Sequence, residues 1–316
     1  MKHNHTKNYD IIGDIHGHAS KLEELLSSLG YQISEDGYYQ HISRTAIFVG
    51  DFIDRGNQQK AVINLVRPMV DNGAALAVMG NHEFNAISYH TKHPQTSEPL
   101  RKHNKNHTHQ HQAFLDEYTD RSDITDVISW FMSLPLYLEL DEVRIIHACW
   151  NESAIASIQD DLNNNNSMSE AFLVKANQRG TRQFNAVETL LKGLEMDLPN
   201  GQCFKDSYGK SRTRIRIKWW QTESNTYKNI AIVPKSTLET VPDIIASIEN
   251  LGDFKYSLCE KPVFCGHYWF MGIPKRQQKN VAVLDYSVAK NGCLTAYRWN
   301  KGDKEINNKN YFQLTN

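Results

Sequence analysis

Gly13-Asp14-Ile15-His16-Gly17, Gly50-Asp51-Phe52-Ile53-Asp54-Arg55-Gly56 and Gly80-Asn81-His82-Glu83 decide how this chain is read. Each comes straight after an apolar run whose composition predicts a buried strand: Tyr9-Asp10-Ile11-Ile12, Ala46-Ile47-Phe48-Val49 and Ala75-Leu76-Ala77-Val78-Met79. The first segment opens a helix with apolar residues at Leu22, Leu25, Leu26 and Leu29 and a stop at Gly30. The second leads into a helix through Ala61, Val62, Leu65 and Val66. Strand, loop and helix in succession predict an α/β fold with a mainly parallel sheet. The functional side chains are then expected beyond the carboxyl ends of the strands.

Further along, Leu136-Tyr137-Leu138-Glu139-Leu140 and Val143-Arg144-Ile145-Ile146 read as a hairpin that delivers His147, and Pro262-Val263-Phe264-Cys265 as a strand ending at Gly266-His267. Strands are also predicted at Val281–Asp285 and Cys293–Trp299. Between the hairpin and the later strands lie a helix, a flexible loop at Asn163–Asn166 and a helical stretch from Met168 to Leu194. Ser211–Trp220 follows as a strand whose alternating Arg and Ile give one basic face, with another helix near Asp243–Leu251. The tail after Lys301 reads as peripheral. Six histidines, His90, His93, His103, His107, His109 and His111, fall in a polar stretch with few apolar residues. It is expected to be a solvated, partly mobile insertion, with a metal-binding tract as the alternative. The organisation expected is one domain over 1–316, with cap or insertion segments at about 89–128 and 151–235.

The 316 residues are 40% hydrophobic, enough for a sizeable core. Thirty-five basic against 36 acidic residues leave a net charge of -1, which argues against nonspecific binding to nucleic acid or anionic membranes. The polar start lacks an apolar signal core and no segment reaches the roughly 18 apolar residues of a membrane span, so a cytoplasmic protein is expected. The cysteines at 149, 203, 259, 265 and 293 show no CxxC pairing and read as reduced thiols.

Asp14 and His16 are two apart, so on an extended chain both project to one side and can share a cation. Asp51, Asn81, His147 and His267 add carboxylate, amide and imidazole donors from other strand ends. Six mixed oxygen and nitrogen donors exceed one tetrahedral zinc and suit a pair of divalent ions, with the two oxygens of Asp51 as the natural bridge.

The motifs GDxHG, GDxxDRG and GNHE, intact and in this order, resemble those of the calcineurin-type metallophosphoesterases. Within them the likeness is to the phosphoprotein phosphatase branch, of the bacterial serine/threonine phosphatase or diadenosine tetraphosphatase type. The resemblance implies a four-layer α/β/β/α sandwich, here with a helical, histidine-rich insertion. It also implies two divalent metal ions, manganese first, with iron, zinc or cobalt as alternatives. Asp14, His16 and His267 would hold one ion, Asn81 and His147 the other, and Asp51 both. A metal-bridging hydroxide would attack phosphorus, with His82 as general acid, Asp54 orienting it, and Arg55 binding the phosphate. Arg212 or Arg214, then Arg179, are the candidates for a second phosphate arginine. The chain departs from the common pattern at His147-Ala148-Cys149-Trp150, where a glycine pair is usual. Cys149 is expected to pack rather than react, having no basic neighbour to make it a thiolate.

The expected activity is hydrolysis of phosphate monoesters in phosphorylated proteins, on phosphoserine or phosphothreonine first and phosphotyrosine second. The alternative is a bis(5'-nucleosyl)-tetraphosphatase acting on a nucleotide polyphosphate, with Arg212–Lys218 holding phosphates and Trp219 or Trp220 stacking a base. A non-catalytic binding module is the remaining possibility, disfavoured because every ligand and the acid are present. Neither nucleic acid nor membrane is expected as a partner, and the oligomeric state is open.

Overall fold

Asn8–Ile12 runs parallel to Arg44–Phe48, which runs parallel to Ala75–Ala77, so the three motif-bearing strands lie side by side and deliver their loops to one edge. The computed structural model describes residues 8–205, 211–221, 226–233, 235–246 and 255–314. On the far side of Asn8–Ile12 the sheet continues antiparallel through Cys293–Trp299 and then Asp285–Tyr286. A second sheet has the order Val281–Val283, Val263–Cys265, Arg144–Ile146, Tyr137–Glu139. It is parallel except at the Tyr137–Ile146 hairpin.

Side-chain alternation divides the layers. Ile11, Ile47, Val49, Val143, Ile145, Phe264, Tyr297 and Trp299 pack between the two sheets. Ile12, Phe48 and Ala46 point the other way, onto Leu22, Leu25, Val62 and Val66 of the helices Ala19–Leu29 and Gln59–Asp71. Both faces of these strands are therefore buried, which is why they read as near-continuous apolar runs. On the opposite side Val263, Cys265 and Ile146 share a core with Phe172, Val187 and Leu190 from the helices Glu170–Ala176 and Arg182–Lys192. Helix, sheet, sheet and helix make the four-layer sandwich. Helix Ala19–Leu29 stops where expected: Gly30 takes φ 93, a left-handed conformation that glycine adopts without strain, and donates its N–H to the Ser27 carbonyl.

Several local expectations need correction. The histidine-rich segment is folded, with helices Lys105–Gln110, Gln112–Glu117 and Arg121–Ser133. Docking of Phe114, Tyr118 and Trp130 into the main core holds it in place. The asparagine run is a pinned turn: Asn165 Nδ2 donates to the Ser133 carbonyl at 3.1 Å and Asn166 Nδ2 to that of Tyr137 at 3.3 Å. The helical stretch 168–194 is broken near Gly180, at φ 89, after which Thr181 caps Arg182–Lys192 through the Phe184 N–H. The tail adds a strand, Tyr311–Gln313, antiparallel to Cys293–Trp299, and buries Ile306 fully. Of the helix expected at 243–251, residues 247–251 lie outside the described residues, and 243–246 is non-helical, with Ile245 bridging Thr226. Arg214–Ile217 is a strand, paired antiparallel with Glu195–Asp197 and Ala231–Ile232. Among the described residues no helix is long and apolar enough to cross a membrane.

Candidate metal centre

The loops that leave the parallel strands are sewn together before any side chain acts. Ile15 and His16 donate their N–H groups to the Asp51 carbonyl at 3.1 and 2.9 Å, and Gly17 donates to Phe52 at 2.8 Å. The buried Glu83 carboxylate then accepts from the N–H of Asp51 (2.8 Å), Phe52 (2.8 Å) and Gly80 (2.9 Å), tying the second motif to the third. Burial, then the Asp51 charge, raise its pKa to about 7. The Glu83 position was quoted in the sequence motif, but its role as a hub depends on three N–H groups that only the fold brings together.

Backbone strain concentrates here. His16, Asp51, Asp54, Arg55, His267 and Trp269 all have left-handed φ, between 47 and 74 degrees. Non-glycine residues take this conformation at a cost that surrounding structure must impose, and such residues cluster at sites of function. The hydrogen bonds above impose it on His16 and Asp51, and Asp285 does so on Trp269 by accepting its N–H at 2.7 Å.

All six expected ligands converge and are buried. His16 donates Nδ1–H to the Ile53 carbonyl at 3.0 Å and His147 donates Nδ1–H to that of Val49 at 2.8 Å. Each bond fixes the tautomer that turns Nε2 and its lone pair inward. His16 Nε2 lies 3.6 Å from Asp51 Oδ2, and His147 Nε2 lies 3.4 Å from Asp51 Oδ1, so the carboxylate presents one oxygen to each side. The ring of His267 lies on the side of Asn81 and His147, whereas the resemblance groups it with Asp14 and His16. It does not join Asp14 and His16: its Nδ1 approaches Asn81 Oδ1 at 2.7 Å, and His147 Nε2 approaches the same oxygen at 3.1 Å. Asp51, His147 and His267 therefore form one compact group, and His16, Asp51 and His82 another. His267 meets Asp14 only through its backbone, donating N–H to Asp14 Oδ2 at 3.0 Å.

The residues fit divalent ions. Among the described residues Asp14 Oδ1, His16 Nε2 and His267 Nε2 are buried without a hydrogen-bond partner, an arrangement that folded proteins avoid unless something else satisfies those atoms. Carboxylate, amide oxygen and imidazole nitrogen together suit Mn, Fe, Zn or Co. The electrostatics agree. Burial, then the positive charge on His82, hold His16 down at about 3, while burial and the Arg216 charge hold His267 well below its usual value, which favours the neutral ring that a metal requires in both. Burial alone would also lower His147, but the Asp51 charge overrides it and lifts the imidazole to about 10. Burial, then Asp285, raise Asp14.

Beside the ligands His82 Nδ1 contacts Asp54 Oδ2 at 2.5 Å, and its Nε2 faces inward, 4.0 Å from Asp51 Oδ2. Burial pulls the His82 pKa down, but Asp51 and the Asp54 hydrogen bond together raise it, which favours the protonated ring that a general acid requires. Asp54 would be raised by burial, yet its hydrogen bonds from His111 and His82 hold it at about 2.

The arginines divide differently from the sequence reading. Arg55 is exposed at the mouth, 5.6 Å over the ring of Trp269. Arg214 is exposed and bound to the acidic neighbours Glu195 and Asp197 at 3.6 and 3.3 Å. Arg212 and Arg179 are exposed. Arg216, which sequence reasoning passed over, is the arginine that reaches in. Its guanidinium lies 5.7 Å from the centre of the Trp269 ring, which Arg55 also meets, with Glu195 Oε1 at 4.0 Å from its Nε, and its charge bears on His267. Its Nε is buried without a hydrogen-bond partner among the described residues. The alternation Arg212-Thr213-Arg214-Ile215-Arg216 gave the face but not the position along it. Trp219 and Trp220, candidates for base stacking, are core residues, and the exposed ring at the mouth is Trp269 at 41%. Its signal was available in its place two residues beyond the strand-end His267. Cys149 is buried, and burial drives its thiol upward, in line with a packing role.

Comparisons with known proteins bear on the same segment. A family description, calcineurin-like phosphoesterase, matches residues 8–172, more than half of the chain. An asymmetrical bis(5'-nucleosyl)-tetraphosphatase PrpE of Oceanobacillus iheyensis is 36% identical over 140 residues, which cover 44% of this chain and 54% of that protein. A symmetrical bis(5'-nucleosyl)-tetraphosphatase of Shewanella frigidimarina is 29% identical over 135 residues, 43% of this chain and 41% of that one. The chain thus spans about half the length of the curated relatives it matches. Among solved structures, a protein serine/threonine phosphatase from Saccharomyces cerevisiae has a TM-score of 0.48 at 14% identity, covering 98% of this chain and 79% of its own. A cold-active protein-tyrosine phosphatase of a psychrophilic Shewanella has a TM-score of 0.48 at 16% identity, covering 98% and 81%. The matched segment carries the three motif loops and His147, the groups whose donors converge in the fold, and on that match the chain belongs to the calcineurin-like phosphoesterase family.

Proposed function

We propose that this chain is a hydrolase that uses two divalent ions, with a dinucleoside tetraphosphate as substrate. The sequence reading placed phosphoproteins first. The curated relatives named as bis(5'-nucleosyl)-tetraphosphatases support the reverse order. The observation that carries the choice is the mouth of the centre. The flat, partly exposed Trp269 is ringed by Arg55 at 5.6 Å, Arg216 at 5.7 Å and Lys290 at 5.1 Å. An aromatic face takes a base, and guanidinium forks beside it take a run of phosphates. A single phosphate monoester on a peptide would leave most of that surface unused.

Asp14, His16, Asp51, Asn81, His147 and His267 would hold the ions. When bound, such ions lower the pKa of a coordinated water towards neutrality and offset the charge that builds on the phosphoryl oxygens. The chain's own groups do the rest. Arg55 and Arg216, both beside Trp269, orient the phosphate and hold its charge. His82, protonated and aligned by Asp54, gives its Nε2 proton to the leaving oxygen.

One observation favours the second reading, a phosphoprotein phosphatase. A nucleotide phosphate leaves readily without a proton, whereas a serine alkoxide does not, and the His82–Asp54 pair is built to supply one. Manganese-loaded protein offered diadenosine tetraphosphate and a phosphoserine peptide in parallel decides the matter. Faster turnover of the dinucleotide supports the first reading, and preference for the peptide replaces it with the second.

A further inference from the structure

The histidine-rich insertion reaches the acid–base pair. His111, 5% exposed, places Nδ1 2.8 Å from Asp54 Oδ1, while His82 Nδ1 takes Oδ2 at 2.5 Å. Each oxygen of this buried carboxylate therefore has an imidazole of its own, one from the third motif and one from the insertion. On its other side His111 Nε2 lies 3.2 Å from His90 Nε2. One set of tautomers satisfies all three contacts: His90 donates Nε2–H to His111, and His111 and His82 each donate Nδ1–H to Asp54. Burial keeps His90 neutral, its pKa down at about 4.

His111 is itself held. Its ring stacks on Phe114 with centroids 4.5 Å apart, and Phe114 stacks on Tyr118 at 4.3 Å. The same insertion meets the second motif again, because Glu117 accepts the N–H of Gln59 at 2.7 Å and Gln59 Oε1 accepts that of Asp54 at 2.6 Å. A carboxylate with one partner can swivel about its Cβ–Cγ bond. With a fixed donor on each oxygen its plane is set, and so is the direction in which it aims the His82 ring.

We propose that His111 is a positioning residue for the reaction, a second histidine on Asp54 that fixes the carboxylate and through it the proton-donating ring of His82, so that the histidine-rich insertion is part of the catalytic framework. The proposal rests on the phosphoesterase reading for its consequence in turnover, but not for its geometry, and the two are tested separately.

His111→Phe keeps a stacked ring and removes the donor; His111→Asn keeps a donor near the Nδ1 position. With manganese, turnover is compared on 4-nitrophenyl phosphate, whose leaving group needs no proton, and on glycerol phosphate, whose leaving group does. Because general acid catalysis contributes about 10²- to 10⁴-fold, loss of its alignment is expected to lower kcat on glycerol phosphate by roughly tenfold or more. KM and the 4-nitrophenyl reaction should stay within about twofold, and His111→Asn should recover most of the loss. Equal losses on both esters, or none, overturn the proposal. Independently of turnover, the proton NMR spectrum of the metal-free protein should contain a far-downfield Nδ1–H signal of His82, assigned by its absence in His82→Gln. It should shift in His111→Phe and stay in place in His111→Asn. A signal unmoved in the Phe variant overturns the proposal even if the protein hydrolyses no ester, an outcome that would end the functional reading instead.

Discussion

Replacing Gly266 by alanine separates the metal centre from the fold. A Cβ built on Gly266 would stand 1.9 Å from Asp14 Oδ1 and 2.9 Å from Val49 Cγ2. No real contact of that kind is so short, so something must move by more than an ångström. Both atoms are the ends of side chains, and the Asp14 carboxylate can swing aside while the strand beneath it stays in place. The change therefore strikes the ligand first. Displacing groups that orient a metal's ligands typically costs 10- to 100-fold in affinity. At a manganese concentration of about 100 times Kd the wild type gains roughly 2.7 kcal/mol from binding; with Kd raised about 100-fold the gain falls to about 0.4 kcal/mol. At about 2 °C per kcal/mol for a chain of this size, the manganese-induced rise in Tm should drop from roughly 5 °C to about 1 °C. Overpacking lowers the metal-free Tm as well, by an amount equivalent to about 1–3 kcal/mol. The assay is thermal denaturation of both proteins with and without manganese. An undiminished manganese response in Gly266→Ala would refute the reasoning, because Asp14 would then not be a ligand held in the place described.

Manganese binding should release protons. His147, lifted to about 10 in the metal-free protein, must lose its proton to become a ligand, so below that pH binding is coupled to release and affinity falls as pH falls. Titration calorimetry in buffers of different ionisation enthalpy should give heats that differ between buffers in the sense of proton release, and buffer-independent heats would contradict this. Arg216→Ala should lower kcat/KM for diadenosine tetraphosphate roughly 10- to 100-fold, the worth of one or two charged hydrogen bonds, and Arg214→Ala should leave it within about twofold. Equal effects would return Arg214 to the site. Arg144 stacks 4.8 Å over Trp150 and binds Glu139, Glu152 and Glu260 at 2.9–3.0 Å. Because those carboxylates are half exposed, Arg144→Ala should cost only about 2 kcal/mol by urea denaturation. A neutral result would show the cluster to be incidental.

The centre was legible because its donors sit at fixed offsets from apolar strands: the turn that ends a parallel strand puts Asp14, Asp51 and Asn81 on one edge whatever the rest of the chain does. His147 and His267 were legible for the same reason. The partition of those ligands was not, since the ring of His267 turns toward Asn81 through a strained backbone at φ 74 that no local pattern announces. Arg214 and Arg216 share a face of one strand, and Glu195 approaches both, at 3.6 and 4.0 Å; Asp197 adds a second carboxylate to Arg214, while Arg216 meets the ring of Trp269, which comes from another segment. The insertion is solvated over residues 91–110, as expected, but it is docked as well, because its few apolar residues, Phe114 and Tyr118, outnumbered in sequence, enter the main core. His111 is a polar residue whose meaning depends wholly on where that docking puts it.

The central claim is that the strand-end ligands and the cationic mouth around Trp269 act together on a dinucleoside polyphosphate. Its most direct test is kcat/KM of manganese-loaded wild type and Trp269→Ala on diadenosine tetraphosphate, with 4-nitrophenyl phosphate as reference. Loss of base stacking, about 1–3 kcal/mol, predicts a fall of roughly 5- to 150-fold on the dinucleotide with little change on the small ester. Equal kcat/KM for wild type and variant on the dinucleotide, or no turnover of it by the wild type, would contradict the account.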